Sequence, residues 1–323
     1  MSRILSLCMG FLLLAGIAAS ARAQSEAGAQ SLLIAPGARS DGMGRAYVAV
    51  ANDANAIWWN PGAMAFSRGR DASFMYTQLV PGLATDVNYS YLAYVQHVEG
   101  WGGIGASLGY LSYGKSEATD VDGNPIGEFT SYEIAPAVAY GTEVMNNLGV
   151  GVALKFVRVD LAPSFTSLDN RPGRGSTFAA DIGGLLKVPQ WRASFGGTID
   201  NLGPKIAYID EDQADPLGRN LRLGVSYSPI ENEVHRVLIA ADATRYLLPN
   251  RTLAVDVWDA GAEYEFNRLL ALRTGYVSDP RGTITDFTFG LGLEYRGFRF
   301  DYASVPQSKY LDRVSRFSAS YHF

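Results

Sequence analysis

Residues 37–65 read GARSDGMGRAYVAVANDANAIWWNPGAMA, and they decide the fold because they contrast with everything that follows them. The stretch lacks the alternation of a strand: Asn52 can cap a short helix, and Asn60-Pro61-Gly62 would end one. Trp58 and Trp59 add a large apolar mass whose two indole N–H groups need hydrogen-bond partners. We therefore predict a compact, non-strand segment that fills the hole of a barrel made by the rest of the chain.

The first residues have the features of a secretory signal peptide. Arg3 supplies the basic start, Ile4–Ala19 the apolar run, and Ala21–Ala23 a small-residue motif, so cleavage is predicted after Ala23. The apolar run is too short to be a membrane-spanning helix. The single cysteine, Cys8, lies within this signal, which leaves the mature chain without cysteine and without disulfides.

Charge and hydrophobicity narrow the class of protein. The signal contains two arginines and no acids, so the mature chain has 27 − 2 = 25 basic against 32 acidic residues, a net charge of −7. This mildly acidic balance, without a basic cluster, gives no support for nucleic-acid binding. No mature segment contains roughly 18 or more consecutive apolar residues, so no helical span is predicted. A soluble β protein and a membrane β-barrel both fit these figures.

From Asp71 onward, apolar residues recur with a period of two, which is typical of strands. About fourteen such segments follow, an even number, as in single-chain bacterial barrels. The 257 residues after Phe66 give about 18 per segment, enough for a tilted spanning strand of roughly 9–11 residues and a connection. The apolar row of each segment is expected to face lipid, beginning with Ala72, Phe74 and Tyr76, and then Val87, Tyr89, Tyr91, Ala93 and Val95.

Long and short connections alternate between the predicted strands. The long ones are Gly114–Glu128, Ala162–Gly175, Leu202–Asn220, Arg245–Val257, Ser278–Thr285 and Ser304–Arg313. The short ones include Glu143–Asn147, Val188–Gln190, Asn267–Leu269 and Arg296-Gly297. Outer-membrane barrels have short periplasmic turns and longer outer loops. The competing interpretation, a soluble secreted β-sandwich, gives no reason for this alternation.

The last predicted strand contains the row Phe317, Ala319, Tyr321 and Phe323, and the sequence ends within it. A free edge with aromatic side chains is a hazard in a soluble protein, whereas in a barrel this strand pairs with the first one. The row also resembles the C-terminal recognition strand of bacterial outer-membrane proteins. Phe317, Tyr321 and Phe323 are therefore predicted to be an assembly signal that the barrel assembly machinery recognises.

Together these patterns predict an all-β protein, a transmembrane antiparallel β-barrel of about 14 strands in the lipid of a Gram-negative outer membrane. The predicted domains are a signal peptide over residues 1–23, an N-terminal hatch or plug in the lumen over residues 24–66, and the barrel over residues 67–323. No cofactor and no metal site are predicted.

Three parts of the opening stretch resemble a known family: Gly37-Ala38-Arg39, Gly42-Met43-Gly44 and Ala54–Gly62. They are similar to the N-terminal signature of the PorV/PorQ family, which belongs to the larger group of FadL-like outer-membrane barrels. The family usually has Asn-Pro-Ala where this chain has Asn60-Pro61-Gly62-Ala63. The resemblance implies a fourteen-stranded barrel with a hatch in its lumen. PorV-type members serve type IX secretion, where they receive translocated proteins and pass them to an attachment complex.

Within the candidate hatch, the residues expected to matter are Trp58, Trp59, Asn60, Pro61 and Gly62. They could be a lid that gates a passage, or they could simply plug and brace the barrel. The second interpretation is favoured, because a stable plug needs apolar anchors and a turn whether or not it opens.

A glycine-dense predicted strand, with Gly102, Gly103, Gly105 and Gly109, is a candidate for a lateral opening. Glycine in a strand marks bulges or close backbone approach. Ordinary barrel curvature explains these glycines about as well. If this strand is hydrogen-bonded without a break to both neighbouring strands, there is no lateral opening at these glycines.

Charged residues on the polar rows could line a path, although a mixed-sign structural network in a packed lumen is favoured because unpaired charges there are costly. They are Lys155, Asp181, Arg192, Asp200, Arg222, Asp242, Glu263, Glu265, Arg273, Glu294, Arg299 and Asp301. Asp122-Gly123 is expected to be a hairpin turn rather than part of a calcium loop, because Ser131 stands where an EF-hand needs glutamate. His322 and Ser320 are interpreted as a polar lumen pair, and no enzyme activity is predicted.

Two functions of different classes stay open. The favoured one is a PorV/PorQ-like barrel whose long outer loops dock secreted cargo proteins or an attachment-complex protein. The alternative is a FadL-like channel that takes up long-chain fatty acids or another hydrophobic ligand, with the hatch as its gate.

Overall fold

The computed structural model describes residues 27–120, 122–164, 171–247, 255–308 and 311–323. The predicted signal peptide, residues 1–23, lies outside the described residues, as do the first three residues of the predicted hatch.

The described residues form fourteen antiparallel strands, each paired with its sequence neighbours. The first strand also pairs with the last, from Asp71 opposite His322 to Thr77 opposite Arg316, which closes the sheet. Closure leaves no sheet edge for hydrocarbon to meet. The predicted barrel and its strand number are confirmed. The strands are β1 Arg70–Gln78, β2 Val87–Val98, β3 Gly102–Thr119, β4 Pro125–Met145, β5 Leu148–Ala162, β6 Gly173–Val188, β7 Ala193–Leu202, β8 Asn220–Glu231, β9 His235–Tyr246, β10 Val257–Phe266, β11 Leu270–Asp279, β12 Ile284–Tyr295, β13 Phe298–Val305 and β14 Val314–His322.

The outer surface of the barrel is a wall of apolar side chains. Phe74, Leu154, Phe178 and Phe289 are all about half exposed or more, and each alternates with a buried or smaller inward residue. Exposed aromatic and aliphatic side chains on this scale suit contact with lipid tails rather than water. For these strands the predicted lipid-facing rows are confirmed.

On β2 the predicted face was wrong. Tyr89, Tyr91, Ala93 and Val95 are buried on the lumen side, whereas Leu92 and Tyr94 are exposed on the outside. The reason is that apolar residues of the N-terminal segment pack against this strand inside the barrel, so its inward row is apolar as well.

The two ends of the barrel differ as predicted, with tight turns at one end and longer connections at the other. Asn147 and Arg296 adopt positive φ in two-residue connections, a geometry that such hairpins favour, and Asn267 does so in a three-residue one. Two predicted long connections are corrected. Gly114–Glu128 is mostly strand, because β3 and β4 run on as a hairpin, and Ser278–Thr285 shortens to residues 280–283.

The hairpin at the tip of β3 and β4 forms the predicted turn. The Asp120 carboxylate accepts hydrogen bonds from the Asn124 side-chain amide at 3.0 Å and from the backbone N–H groups of Asn124 and Asp122 at 2.8 and 2.9 Å. These bonds, the Asn124 side chain first, hold the pKa of Asp120 below its usual value. The Asp120 carboxylate therefore stabilises this hairpin turn through its hydrogen bonds.

The N-terminal segment, residues 27–66, has short helical turns and no strand of the barrel. They are the α-helices Ala38–Gly42 and Ala56–Trp59 and the 3₁₀-helices Gln30–Leu32 and Pro61–Phe66. None of the helices in the described part of the chain has the length and hydrophobicity needed to cross a bilayer. Met43, Tyr47, Ile57 and Met64 in this segment are fully buried.

A charge on the outer wall tests which face meets hydrocarbon. Leu154 lies on β5, is 59% exposed and points away from the lumen. We expect Leu154→Arg to lower the free energy of unfolding in lipid vesicles by about 2–4 kcal/mol, the cost of arginine near the bilayer midplane. Urea titration followed by tryptophan fluorescence measures this. Leu154→Ala is the control, and equal stability of the two variants would mean that this face does not contact lipid.

Candidate functional site in the barrel lumen

The centre of the site is an ion pair between the N-terminal segment and the barrel wall. Arg39 donates from Nε and Nη2 to the two carboxylate oxygens of Glu263 on β10, at 2.8 and 2.7 Å. Glu263 also accepts from Arg273 Nε at 2.6 Å, and Arg299 Nη2 lies 3.4 Å away. Arg273 in turn pairs with Asp301 at 2.8 Å. Arg39, Glu263 and Arg273 are buried, so each charge depends on the others.

A second ion pair holds the other side of the same short helix. Arg316 on β14 donates from Nη1 to the Asp41 carboxylate and to the Ala35 carbonyl, both at 2.7 Å. The Gly42 carbonyl accepts from the Thr288 hydroxyl at 3.1 Å. The helix Ala38–Gly42 is therefore fixed to strands on both of its sides.

The next part of the segment is held by a carboxylate from β9. Asp242 Oδ2 accepts from the backbone N–H groups of Tyr47 and Val48, at 2.7 and 2.8 Å. The Ser226 hydroxyl of β8 donates to the Ala49 carbonyl at 3.0 Å. Because this stretch lacks regular secondary structure, barrel side chains satisfy its buried backbone groups.

The two adjacent tryptophans meet different surroundings. Trp59 is buried and donates its indole N–H to the Pro36 carbonyl at 2.9 Å. Trp58 is half-buried, and the Arg222 guanidinium of β8 lies over its ring at 4.4 Å. Arg222 also pairs with Asp200 at 2.7 Å and donates to the Trp58 carbonyl at 3.1 Å. The tryptophan pair is thus anchored by a buried cation of the wall.

The predicted Asn60-Pro61-Gly62 turn is the most tightly seated part. The Asn60 side-chain amide donates to the carbonyls of Val48 and Gly184, at 2.9 and 3.0 Å, and its oxygen accepts from Gly62 at 3.0 Å. A methyl group added to Gly151 or Gly183 would collide with this turn. Glycine is therefore needed at these inward positions because two backbones approach closely.

The same contact recurs around the barrel. Inward glycines on eight strands meet the backbone of the N-terminal segment directly, so the segment lies inside the barrel and touches its wall on many sides. They are Gly103, Gly141, Gly149, Gly151, Gly183, Gly196, Gly261, Gly275 and Gly290. The sequence analysis missed this set, although the signal was available in glycines that share the inward row of neighbouring strands.

The glycines predicted to open β3 sideways have this packing role instead. β3 pairs with β2 without a break from Gly102 to Tyr113, and with β4 from Gly103 to Ser112. Gly103 faces Met64 of the N-terminal segment, Gly105 faces Ile57, and Gly109 faces the Tyr89 ring of β2. A lateral opening would need a gap in this pairing, and β3 has none over these residues.

Most of the predicted inward charges do pair within the lumen. Lys155 pairs with Asp181 at 2.5 Å, in addition to the ion pairs of Glu263, Asp301 and Asp200 described above. Arg192 is an exception: it lies in the turn after the 3₁₀-helix Pro189–Trp191, is exposed, and donates to the Pro229 carbonyl at 3.2 Å. His322 contacts Asp71 at 2.7 Å rather than Ser320, because β14 pairs with β1.

The space that the segment leaves in the lumen is divided among several cavities whose walls contain both charged and apolar residues. At the tight-turn end there are cavities of about 250, 360 and 130 Å³, bordered by groups such as Lys187, Glu231 and Arg299. On the other side of the tryptophan pair lies a cavity of about 80 Å³, bordered by Trp58 and Asp259 among others. The 360 Å³ cavity, whose wall consists almost entirely of charged and polar residues, suits water and ions better than a hydrophobic molecule.

The long connection between β7 and β8 folds over the outer end of the segment. Ile206 and Leu217 from this connection pack with Ala29 and Leu32 in one apolar cluster. The Tyr208 hydroxyl accepts the Ala29 N–H at 3.1 Å, and burial raises the pKa of this hydroxyl. The N-terminal segment is therefore covered from the long-loop side.

The proposed assembly residues lie on the outside of β14. Phe317 and Phe323 are more than half exposed, and Tyr321 packs against Phe298 and Phe323 with ring centroids 4.3 and 4.5 Å apart. Their role in recognition by the assembly machinery stays a prediction.

These features define the class: a membrane-spanning β-barrel of the outer envelope whose lumen is occupied by its own N-terminal segment. The sequence model of a family described as type IX secretion system protein PorV matches residues 18–252. The chain belongs to this family. No curated protein sequence is similar enough to count as a match.

Solved structures with a similar fold are barrels of distant sequence. The toluene transporter TbuX of Ralstonia pickettii is 14% identical with a TM-score of 0.57, covering 89% of this chain and 98% of that one. The P. putida toluene transporter TodX is 15% identical with a TM-score of 0.55 and the same coverage. The monoaromatic hydrocarbon channel CymD is 14% identical with a TM-score of 0.56, covering 90% and 98%. These likenesses confirm the barrel fold.

Two adjacent glycines give a matched test of the lumenal packing. A methyl group at Gly183 would collide with Asn60 and Pro61. At Gly184 the nearest atom outside the adjacent residues of the strand would be 3.8 Å away. We expect Gly183→Ala to lower the free energy of unfolding by about 1–3 kcal/mol, as overpacking does, and Gly184→Ala to leave it unchanged. Urea titration in vesicles and protease access to the N-terminal segment measure the difference. Equal behaviour of the two variants would contradict the seating of the turn.

Removal of the central carboxylate tests the electrostatic anchor. Glu263→Gln leaves Arg39 and Arg273 buried beside a neutral amide, and we expect a loss of about 3–5 kcal/mol in unfolding free energy. Glu265→Gln serves as the control, because Glu265 is more accessible and pairs with Arg236 at 3.0 Å near the tight-turn end. A loss for Glu263→Gln no larger than the loss for Glu265→Gln would show that the Arg39 contact does not anchor the segment.

Proposed function

We propose that this protein is a docking barrel of type IX secretion, which binds secreted proteins or an attachment-complex protein through its long connections while its N-terminal segment stays in place as a plug. The observation that carries the proposal is the filled lumen of a chain that belongs to the PorV family. A barrel whose interior is packed and ion-paired is better suited to present a surface than to conduct a molecule.

The long-loop end supports docking because it exposes large apolar side chains. Leu83 in the β1–β2 connection is 76% exposed, Ile209 in the β7–β8 connection 56%, and Ile126 in the β3–β4 hairpin 47%. They come from three separate connections at the same end of the barrel. Apolar side chains exposed beyond the lipid-facing wall are typical of surfaces that bind another protein.

The anchors of the segment support a static plug. Arg39, Asp41, Tyr47 and Asn60 each form hydrogen bonds to strands from different parts of the wall. Opening a passage would break several of these contacts at once and leave charged groups without partners in a low-dielectric lumen. For Trp58 and Trp59 we therefore favour bracing over gating.

The second candidate, passage of a hydrophobic small molecule with the segment as gate, is favoured by one observation. Fold neighbours of this chain are described as toluene transporters and as a monoaromatic hydrocarbon channel. Against it stand the charged walls of the cavities and the unbroken pairing of β3. Fold likeness at this level of identity does not transfer a substrate.

The two candidates predict different outcomes for purification of the tagged protein from its native outer membrane. Docking predicts that secreted proteins or a surface protease co-purify and can be identified. It also predicts that Leu83→Asp combined with Ile209→Asp lowers their recovery at least about tenfold, because a charge disrupts an apolar contact. Mass spectrometry with quantified peptides measures recovery. Met145→Asp, an exposed apolar residue at the tight-turn end, is the matched control.

Transport predicts a different result from the same preparation. A fatty-acid-like or hydrocarbon molecule would be extracted with the protein and would be lost when Trp58 and Trp59 are both replaced by alanine. That outcome, together with unchanged protein recovery in the variant that combines Leu83→Asp with Ile209→Asp, would overturn the docking proposal.

A further inference from the structure

A charged cleft lies on the outer surface of the barrel at its long-loop end, between β5, β6 and the β7–β8 connection. Its lining includes Arg158, Arg174, Ser176, Lys205 and Glu211, and its volume is about 610 Å³. Arg158 and Arg174 occupy outward positions of their strands, and the side chains of both are 48% exposed. The cleft therefore opens to the surroundings of the barrel rather than to its lumen.

The register of β5 and β6 gives the height of the cleft. Phe156 lies opposite Phe178 on the outer face, with ring centroids 5.2 Å apart. Two residues further along, Arg158 lies opposite Ser176, and two further still, Asp160 lies opposite Arg174. With about 3.3 Å per residue, the guanidinium level begins roughly 7 Å beyond the aromatic pair.

Neighbouring strands place a second aromatic pair at this level. Tyr132 on β4 lies opposite Asp160 and stacks on Tyr110 of β3, with centroids 6.0 Å apart. Aromatic side chains on the outside of such barrels mark the boundary between hydrocarbon and headgroups. The cationic groups therefore lie at headgroup height, on the side of the barrel with long loops, which faces the outer leaflet.

The charges of the cleft leave the cations only partly neutralised. Asp160 Oδ2 lies 2.8 Å from Arg174 Nε and 3.8 Å from Arg158 Nη2, so one carboxylate forms ion pairs with two guanidinium groups. Lys205 is exposed, and among the described residues no carboxylate lies within ion-pair distance of it. Glu211 is exposed at the margin. Three cations thus face two carboxylates.

We propose that Arg158, Arg174 and Lys205 bind the phosphate group of a lipid in the outer leaflet. A guanidinium group that uses its Nε on Asp160 still presents its two terminal nitrogens, which match the oxygens of a phosphate. The Ser176 hydroxyl at the same level adds a further donor. The position beside the membrane, above an aromatic pair, selects a lipid over a soluble anion.

Native mass spectrometry of the detergent-solubilised full-length mature protein tests the proposal, with bisphosphorylated lipid A as the probe and phosphatidylethanolamine as the comparison lipid. We expect preferential binding of lipid A and a loss of at least about tenfold in its affinity for the combined variant Arg158→Gln, Arg174→Gln and Lys205→Gln. Arg68→Gln combined with Arg268→Gln and Arg296→Gln removes the same amount of charge from three exposed arginines at the opposite end of the barrel. This control variant should bind lipid A normally.

A second variant guards against loss of the fold, because Asp160 would lose both partners in the first one. Arg158→Lys with Arg174→Lys keeps the charges but removes the planar fork, and it should bind lipid A more weakly than wild type and more tightly than the glutamine variant. Heat-modified migration on gels reports whether each barrel is folded. Unchanged lipid A binding by a folded glutamine variant would overturn the proposal, as would equal displacement of lipid A by the same concentration of inorganic phosphate.

Discussion

The structure depends on direct contact between two backbones, that of the N-terminal segment and that of the barrel wall. Glycines at inward positions on strands from β3 to β12 remove the side chain that would otherwise hold the two apart. Gly44, in the segment itself, is subject to the same constraint. It has a φ of +63°, and its backbone lies against those of Ala260 and Gly275, so a side chain would not fit there. The shape of the wall therefore fixes the path of a segment that has little regular secondary structure of its own.

The ion pairs follow from this seating. Once the Ala38–Gly42 helix lies against the wall, Arg39 and Asp41 project to opposite sides and meet Glu263 and Arg316. Glu263 then stands among three guanidinium groups, and Asp242 receives two backbone N–H groups from the segment. Without the segment, Glu263 and Arg316 would lose their partners Arg39 and Asp41. Barrel and segment thus form one energetic unit rather than a container and a removable part.

The sequence predicts the barrel well because membrane lipid imposes one rule on every strand. Apolar rows with a period of two were sufficient for the number of strands, and the short connections followed from the gaps between these rows. The rule fails on β2, where Tyr89 and Tyr91 form an apolar row on the lumen side because the segment makes that side apolar too. Partners such as Arg39 and Glu263 could not be predicted, since they are 224 residues apart and several carboxylates compete for each arginine.

A filled lumen changes which surfaces of this barrel can carry a function. On the tight-turn side the segment contacts the wall through glycines and ion pairs, and on the long-loop side Ile206 and Leu217 cover Ala29 and Leu32. The remaining space is divided among several cavities with charged residues on their walls, and a hydrophobic molecule there would leave those charges without solvation. The surfaces that stay accessible are the long connections and the outer wall.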